Sequence, residues 1–294
     1  MATTDQWADW VLRARHGGDQ DRHADALRVL GPVRDRVLDG AAPAPGQTVL
    51  DVGCGDGLLG FAALDRVGPA GTVVFSDVSA ALLEHCRATA AALGVAGRCR
   101  FVHTGLPDLA GVADGSVDAV VLRSVLMYVP DKPAALRALH RVLRPGGRLS
   151  LFEPVNRFGA EPPDRLWTFD VSGIRELADR VAAAARAARP ADDPIVGFDE
   201  RDLLAAAEGA GFTELRLAYE ARVGHDLGFG LTRVPIREML GIAPNPTAPT
   251  YGELIDRALD PAERERLLAH LEAQPAESRR GRLAVAYLSA HRPA

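Results

Sequence analysis

Cysteine is scarce in this sequence: Cys54, Cys86 and Cys99 are the only three among 294 residues. The number is odd and no CxxC pair occurs, which argues against a disulfide framework and for a reducing, cytoplasmic setting. Histidines and cysteines are scattered, so no metal site is expected. No run of about 18 apolar residues occurs, so no membrane span is expected. The start, MATTDQWADW, has neither the positive charge nor the apolar stretch of a signal peptide. Basic excess is missing too. The formal net charge is −5, whereas gripping a phosphate backbone takes a basic surface, so nucleic acid is excluded as a partner. What the chain does have is apolar residues, 47 % of the total, enough for a sizeable core. Its length allows one large domain or two small ones.

Residues 5–38 read as two helices, with Trp7 and Trp10 at helical spacing in the first and a hinge expected at His16-Gly17-Gly18. The stretch Gly40–Gly46 is a Gly/Pro linker. Then strands and helices alternate. Strands are expected at Thr48–Val52, Thr72–Ser76, Arg100–His103, Asp118–Leu122 and Arg148–Phe152. Helices are expected from about Asp56 to Val67, after Ser79, and after Asp131, each of the last two with a capping side chain. This alternation predicts a parallel sheet covered on both faces. Residues 155–198 break the rhythm with one Ala-rich helix near 173–188. A helix at Asp199–Ala210 and a strand at Thr213–Tyr219 resume it. Residues 221–281 interrupt again, with a Pro-rich stretch over 243–249 and a helix capped by Asp260. A strand at Leu283–Leu288 closes the pattern.

The run VLDVGCGDG, residues 49–57, carries the chemistry. A strand ends in Gly53, Gly55 and Gly57, where the lack of Cβ atoms lets a ligand approach the backbone. A dinucleotide loop needs GxGxxG, but Leu58 stands where the third glycine belongs. Asp51 would repel a phosphate and favour a cationic amino group. Asp77, at the end of the second strand, can accept both hydroxyls of a ribose. The ligand implied has a ribose and an amino-acid head. Both acids also have a plainer reading, Asp51 as a helix cap and Asp77 as a cap of the helix starting at Ser79.

With VVFSDVSAALLEHCR (73–87), DAVVLRSVLMYVPD (118–131), LRALHRVLRPGGRLSLFEP (136–154) and FDERDLLAAAEGAGF (198–212), the chain resembles the class I S-adenosylmethionine-dependent methyltransferases. The resemblance implies an α/β, Rossmann-like, doubly wound seven-stranded sheet with its last strand antiparallel. It implies S-adenosyl-L-methionine as cofactor, leaving as S-adenosyl-L-homocysteine. Asp51 and the loop of Gly53, Cys54, Gly55 and Gly57 would hold the methionine part, Asp77 the ribose, and Val78 and Leu106 the adenine. Arg123 and Ser124 would lie beside the methionine and the acceptor entrance. The family often has an acid after the third strand that meets the adenine amino group. Here that position is Gly105, with Asp108 nearby.

The organisation expected is an N-terminal helical extension (1–39), a core of 47–154, 199–220 and 282–294, and a helical lid made by 155–198 and 221–281. Methyl transfer to a small-molecule acceptor is the expected activity, as O-methylation in secondary metabolism, with a peptide carboxylate as the alternative acceptor. His225, Glu153 and Tyr128 are the candidate catalytic groups. An NAD-dependent oxidoreductase and an inactive cofactor-binding scaffold are the readings from other classes. The chain is expected to be a monomer or a homodimer.

Overall fold

The computed structural model describes residues 5–16, 20–159, 162–225, 227 and 234–294. Asp5 accepts the N–H groups of Trp7 and Ala8 and opens helix α1 (Gln6–Leu12). Helix α2 (Gln20–Ala41) carries Pro32 in its interior, so one carbonyl a turn earlier loses its helical donor. Gly17 and Gly18 of the expected hinge lie outside the described residues. There follow β1 (Thr48–Val52), α3 (Leu58–Val67), β2 (Thr72–Asp77), α4 (Ala80–Ala92), β3 (Cys99–His103), β4 (Val117–Arg123), α5 (Lys132–Val142) and β5 (Leu143–Pro154). After them come the two-residue strands β6 (Arg165–Leu166) and β7 (Phe169–Asp170), α6 (Arg175–Ala187), α7 (Glu200–Gly209) and β8 (Thr213–Gly224). The remaining elements are α8 (Ile236–Met239), α9 (Tyr251–Ala258), α10 (Pro261–Glu272) and β9 (Gly281–His291).

The seven long strands form one sheet in the order β3-β2-β1-β4-β5-β9-β8. The pairs among β1 to β5 are parallel, and β9 runs antiparallel to β5, with Leu151 opposite Leu288. Strands buried on both faces need continuous apolar runs, and Val49, Leu50, Val73, Phe75, Val120, Val121, Leu149 and Leu151 supply them. Helix starts follow side-chain caps: Ser79 for α4, Asp131 for α5, and capping boxes at Asp199, Thr250 and Asp260. The turn Arg144–Gly147 bulges out of β5, since Val117 pairs with Leu143 and Ala119 with Arg148.

Two compact units result. One comprises Leu30–Val155, Pro194–Glu220 and Val285–Ala294 and contains most of the sheet. The other comprises Met1–Val29, Asn156–Asp193 and Ala221–Ala284. The second has its own core, in which Leu166, Phe169, Val181, Ile236, Ile255, Leu267 and Leu268 are buried. Arg279 is buried with them. It lies 3.9 Å above the Phe169 ring and donates to Thr168 Oγ1 and the Val234 carbonyl, and burial brings its pKa down to about 10. Trp10 donates its indole N–H to the Ala243 carbonyl at 2.9 Å, tying α1 to the Pro-rich stretch of the same unit. Among the described residues, no helix is long and apolar enough to cross a membrane.

Candidate cofactor site

The strand order reverses between β1 and β4, with β1 leading to β2 on one side and β4 to β5 on the other. In such sheets the crevice beyond the carboxyl ends of the strands at this reversal is where ligands bind. Asp51 pairs with Phe75 and Val121, Asp77 with His103, and Arg123 with Phe152. Asp51, the glycine loop, Asp77, Val78, Leu106, Arg123 and Ser124 therefore gather at one end of one sheet.

Asp51 is buried and accepts the Gly60 N–H at 2.8 Å in the first turn of α3. Its second oxygen has no hydrogen-bond donor among the described residues. Burial pushes its pKa up to about 7, against the pull of the Gly60 N–H and the charge of Arg123. Gly60 itself is demanded by space: a Cβ there would lie 2.2 Å from the ring of buried Phe75. Gly53 and Gly57 have φ of +63° and +89°, the left-handed region that other residues enter at a cost. A Cβ on Gly53 would sit 2.6 Å from Val125, and one on Gly57 2.4 Å from Phe61. The helix α3 thus starts at Leu58, two residues later than the spacing suggests, because Gly57 turns the chain before it.

Cys54 is buried behind the loop. Contact with the Cys86 thiol and burial push its pKa above the usual range, and Cys86 donates to the Gly55 carbonyl at 3.4 Å. Burial and the raised pKa make Cys54 a packing thiol and a poor nucleophile.

Asp77 fixes two backbone segments at once. Oδ2 accepts the Gly55 N–H at 2.9 Å and Oδ1 accepts the Ser79 N–H at 2.9 Å. The bond to the Ser79 N–H is the plainer, helix-capping reading of Asp77. Val78 comes next, 54 % exposed, and its carbonyl takes a hydrogen bond from His103 Nε2 at 2.9 Å. A Cβ on Gly105 would lie 2.4 Å from Val78 Cγ1. The glycine in place of the family acid therefore has a packing reason here, which a single sequence does not reveal. Leu106 is half-buried beside it.

At the end of β4, the Arg123 guanidinium has no hydrogen-bond or ion-pair partner among the described residues, and its charge acts on Asp51. Ser124 has φ of +57°, a left-handed backbone uncommon for a residue with a side chain. Its N–H donates to the Phe152 carbonyl at 2.8 Å, which anchors it on one side. The next three residues anchor it on the other. The N–H groups of Val125, Leu126 and Met127 all donate to the Glu153 carboxylate, at 2.9, 2.8 and 3.1 Å.

Glu153, expected as a candidate base, faces the turn that follows β4. It is fully buried and occupied by three amides. Burial pushes its pKa up to about 7, opposed by those amides and by Lys132. Strand parity could not distinguish an acid facing the cleft from one facing the turn beside it. Tyr128 ends the 3₁₀ turn Leu126–Tyr128 and is half-buried. His225 is exposed just after β8 and belongs to the other unit. Among the described residues no group of three or more His, Cys, Asp or Glu could hold a metal.

Fold and site define a Rossmann-like α/β protein with a glycine loop where the strand order reverses. Residues 49–147 match a methyltransferase-domain family profile. The chain is 36 % identical to nocamycin O-methyltransferase of Saccharothrix syringae over 67 % of its length and 70 % of that enzyme. It is 36 % identical to the ubiquinone biosynthesis O-methyltransferase of Xanthomonas axonopodis pv. citri over 45 % of its length and 54 % of that enzyme. Among solved structures it resembles geranyl diphosphate C-methyltransferase from Streptomyces coelicolor A3(2), bound to Mg2+, geranyl diphosphate and S-adenosyl-L-homocysteine. That likeness has a TM-score of 0.53 and 18 % identity, and covers 90 % of this chain and 80 % of that one. The chain belongs to the class I S-adenosylmethionine-dependent methyltransferases. It is an enzyme, S-adenosylmethionine is its methyl donor, and the oxidoreductase reading falls.

Proposed function

We propose that the enzyme O-methylates a small natural-product acceptor. The observation that carries this is its 36 % identity with an O-methyltransferase over 70 % of that enzyme. The sulfonium supplies an already activated methyl group, so the protein's task is alignment and exclusion of water.

The residues present fit the cofactor. Asp51, with an oxygen that lacks a donor among the described residues, suits the ammonium of the methionine head, and Arg123 suits its carboxylate. Asp77, at the end of β2 and bound to the Gly55 and Ser79 amides, is the acid we assign to the ribose hydroxyls, with Gly53, Cys54, Gly55 and Gly57 lining the loop between. Exposed Val78, with Leu106 and the Cβ-free Gly105 beside it, suits a flat apolar base. Ser124 completes the set at the end of β4. With Glu153 turned to the amides, Tyr128 and His225 are the groups we assign to proton removal from an acceptor hydroxyl. The three unpaired cysteines accord with a cytoplasmic enzyme.

The test is methyl transfer from labelled S-adenosylmethionine to a panel of phenols, enols and peptide carboxylates, with Tyr128→Phe and His225→Ala alongside. Turnover of hydroxyl acceptors that falls in a variant supports the reading. Labelling confined to peptide carboxylates makes the alternative acceptor the right one. Calorimetry with Asp77→Ala tests the cofactor half separately, and loss of binding is expected.

A further inference from the structure

The turn after β4 is clamped by two buried side chains of opposite charge. Glu153 holds its front, where one carboxylate takes the N–H groups of Val125, Leu126 and Met127 in succession. Lys132 holds its back. Its Nζ donates to the Val129 carbonyl and to the Pro194 carbonyl, each at 3.2 Å, and lies 4.3 Å above the Phe198 ring. An anion on the amides and a cation on the carbonyl each match the partial charge they meet. The backbone entering the turn is strained, with Ser124 at φ of +57°. Such a conformation persists only where its surroundings over-determine it.

From this turn Val125 packs onto the glycine loop. The three atoms nearest the place of a Gly53 Cβ all belong to the Val125 side chain: Cγ2 at 2.6 Å, Cγ1 at 3.3 Å and Cβ at 3.5 Å. Toward β2 the loop is held by hydrogen bonds, from the Cys54 N–H to the Ser76 carbonyl at 3.0 Å and from the Gly55 N–H to Asp77 at 2.9 Å. Toward β4 Gly53 is held by packing, and that packing is only as fixed as the turn that carries Val125.

We propose that Glu153 and Val125 are positioning residues for the amino-acid end of the cofactor. Glu153 fixes the turn, the turn fixes Val125, and Val125 fixes Gly53 in the loop assigned to the methionine head. The proposal rests on the cofactor-site reading above, in which Asp51 and this loop hold that head.

The test is the ratio of affinities for S-adenosylhomocysteine and adenosine, from calorimetric titration of the full chain. Adenosine has the base and ribose but no amino-acid end, so the ratio reports on that end. Partial unfolding weakens both ligands by the same factor and cancels. Glu153→Ala leaves three amides without their acceptor and is expected to lower the ratio by about tenfold. Val125 and Leu126 share Oε1, an acceptor that Glu153→Gln can keep, so this variant is expected to stay within about threefold of the wild type. Val125→Ala leaves Glu153 untouched and is expected to lower the ratio by about threefold. If circular dichroism shows Glu153→Ala unfolded, Val125→Ala carries the test. Arg279→Leu, weakened in the second core, is expected to keep the wild-type ratio. A wild-type ratio in Val125→Ala or in folded Glu153→Ala overturns the proposal. So does a Glu153→Gln that falls as far as Glu153→Ala, or an Arg279→Leu that falls with them. Asp51→Asn separates the two readings: if it keeps the wild-type ratio, the site reading itself fails and the proposal falls with it.

Discussion

Asp51 makes cofactor affinity a function of pH, and the sign comes from its surroundings. Burial raises its pKa to about 7 in the free protein, so below that pH it is neutral. A cationic head at its open oxygen favours the charged form, so binding at low pH must first expel the proton. With the bound carboxyl ionised throughout, affinity falls toward tenfold per pH unit on the acid side of 7. Between pH 7.5 and 5.5 the loss amounts to about 25-fold, or about 1.9 kcal/mol. Calorimetric titration of S-adenosylhomocysteine at intervals across this range measures it. Asp51→Asn keeps an acceptor for the Gly60 N–H, so the fold should stand. It should bind about tenfold or more weakly at pH 7.5, for loss of a charged hydrogen bond, and with a flatter pH profile. Glu153 titrates in the same range, so Glu153→Gln must retain the slope. Adenosine, which lacks the amino-acid head, should bind without it. A flat wild-type profile, or an equal slope in Asp51→Asn, would refute the reasoning.

Gly60→Ala drives a Cβ into the ring of Phe75, which has no room to retreat. A loss of about 1–3 kcal/mol in chemical denaturation is expected. Asp51 and Glu153 both bind their protons more tightly in the folded chain than unfolded. The cofactor-free protein should therefore lose stability as pH rises from about 4 through about 7, by at most roughly 4 kcal/mol per group. Comparing denaturation midpoints at pH 5.5 and 8 checks this, and Glu153→Gln should lessen the difference. Arg279→Leu removes the donor to the Val234 carbonyl and to Thr168 Oγ1 inside the second core. It should cost about 2–4 kcal/mol, read as a lowered midpoint.

The sheet was legible in the sequence because its signals are local. Short apolar runs ended in glycine or acid, and Ser79, Asp131, Asp199 and Asp260 announced helix starts that the structure shows. Helix α9 was missed although its capping box, Thr250 with Glu253, stood in plain view; the Pro-rich run before it suggested an extended chain. Strand β8 extends to Gly224 and β9 to His291, beyond their apolar centres, because ladder pairing continues through polar residues. The acids Asp51, Asp77 and Glu153 were found by position, but what each one holds depends on contacts across the sheet. Nothing along the chain says that Glu153 reaches three amides after β4, or that Gly105 makes way for Val78. Tertiary packing decides such matters, and one sequence does not display it.

The place of β9 has a consequence for the growing chain. β9 lies between β5 and β8, yet it is made after both. While the ribosome is still adding residues 225–280, β8 has no neighbour to bond to, and β5 presents a bare rim of amides and carbonyls. Both are then open to other nascent chains. The sheet closes when its penultimate member, the latest to be synthesised, slides in between. Protection from aggregation during synthesis thus rests on the arrival of a single late strand.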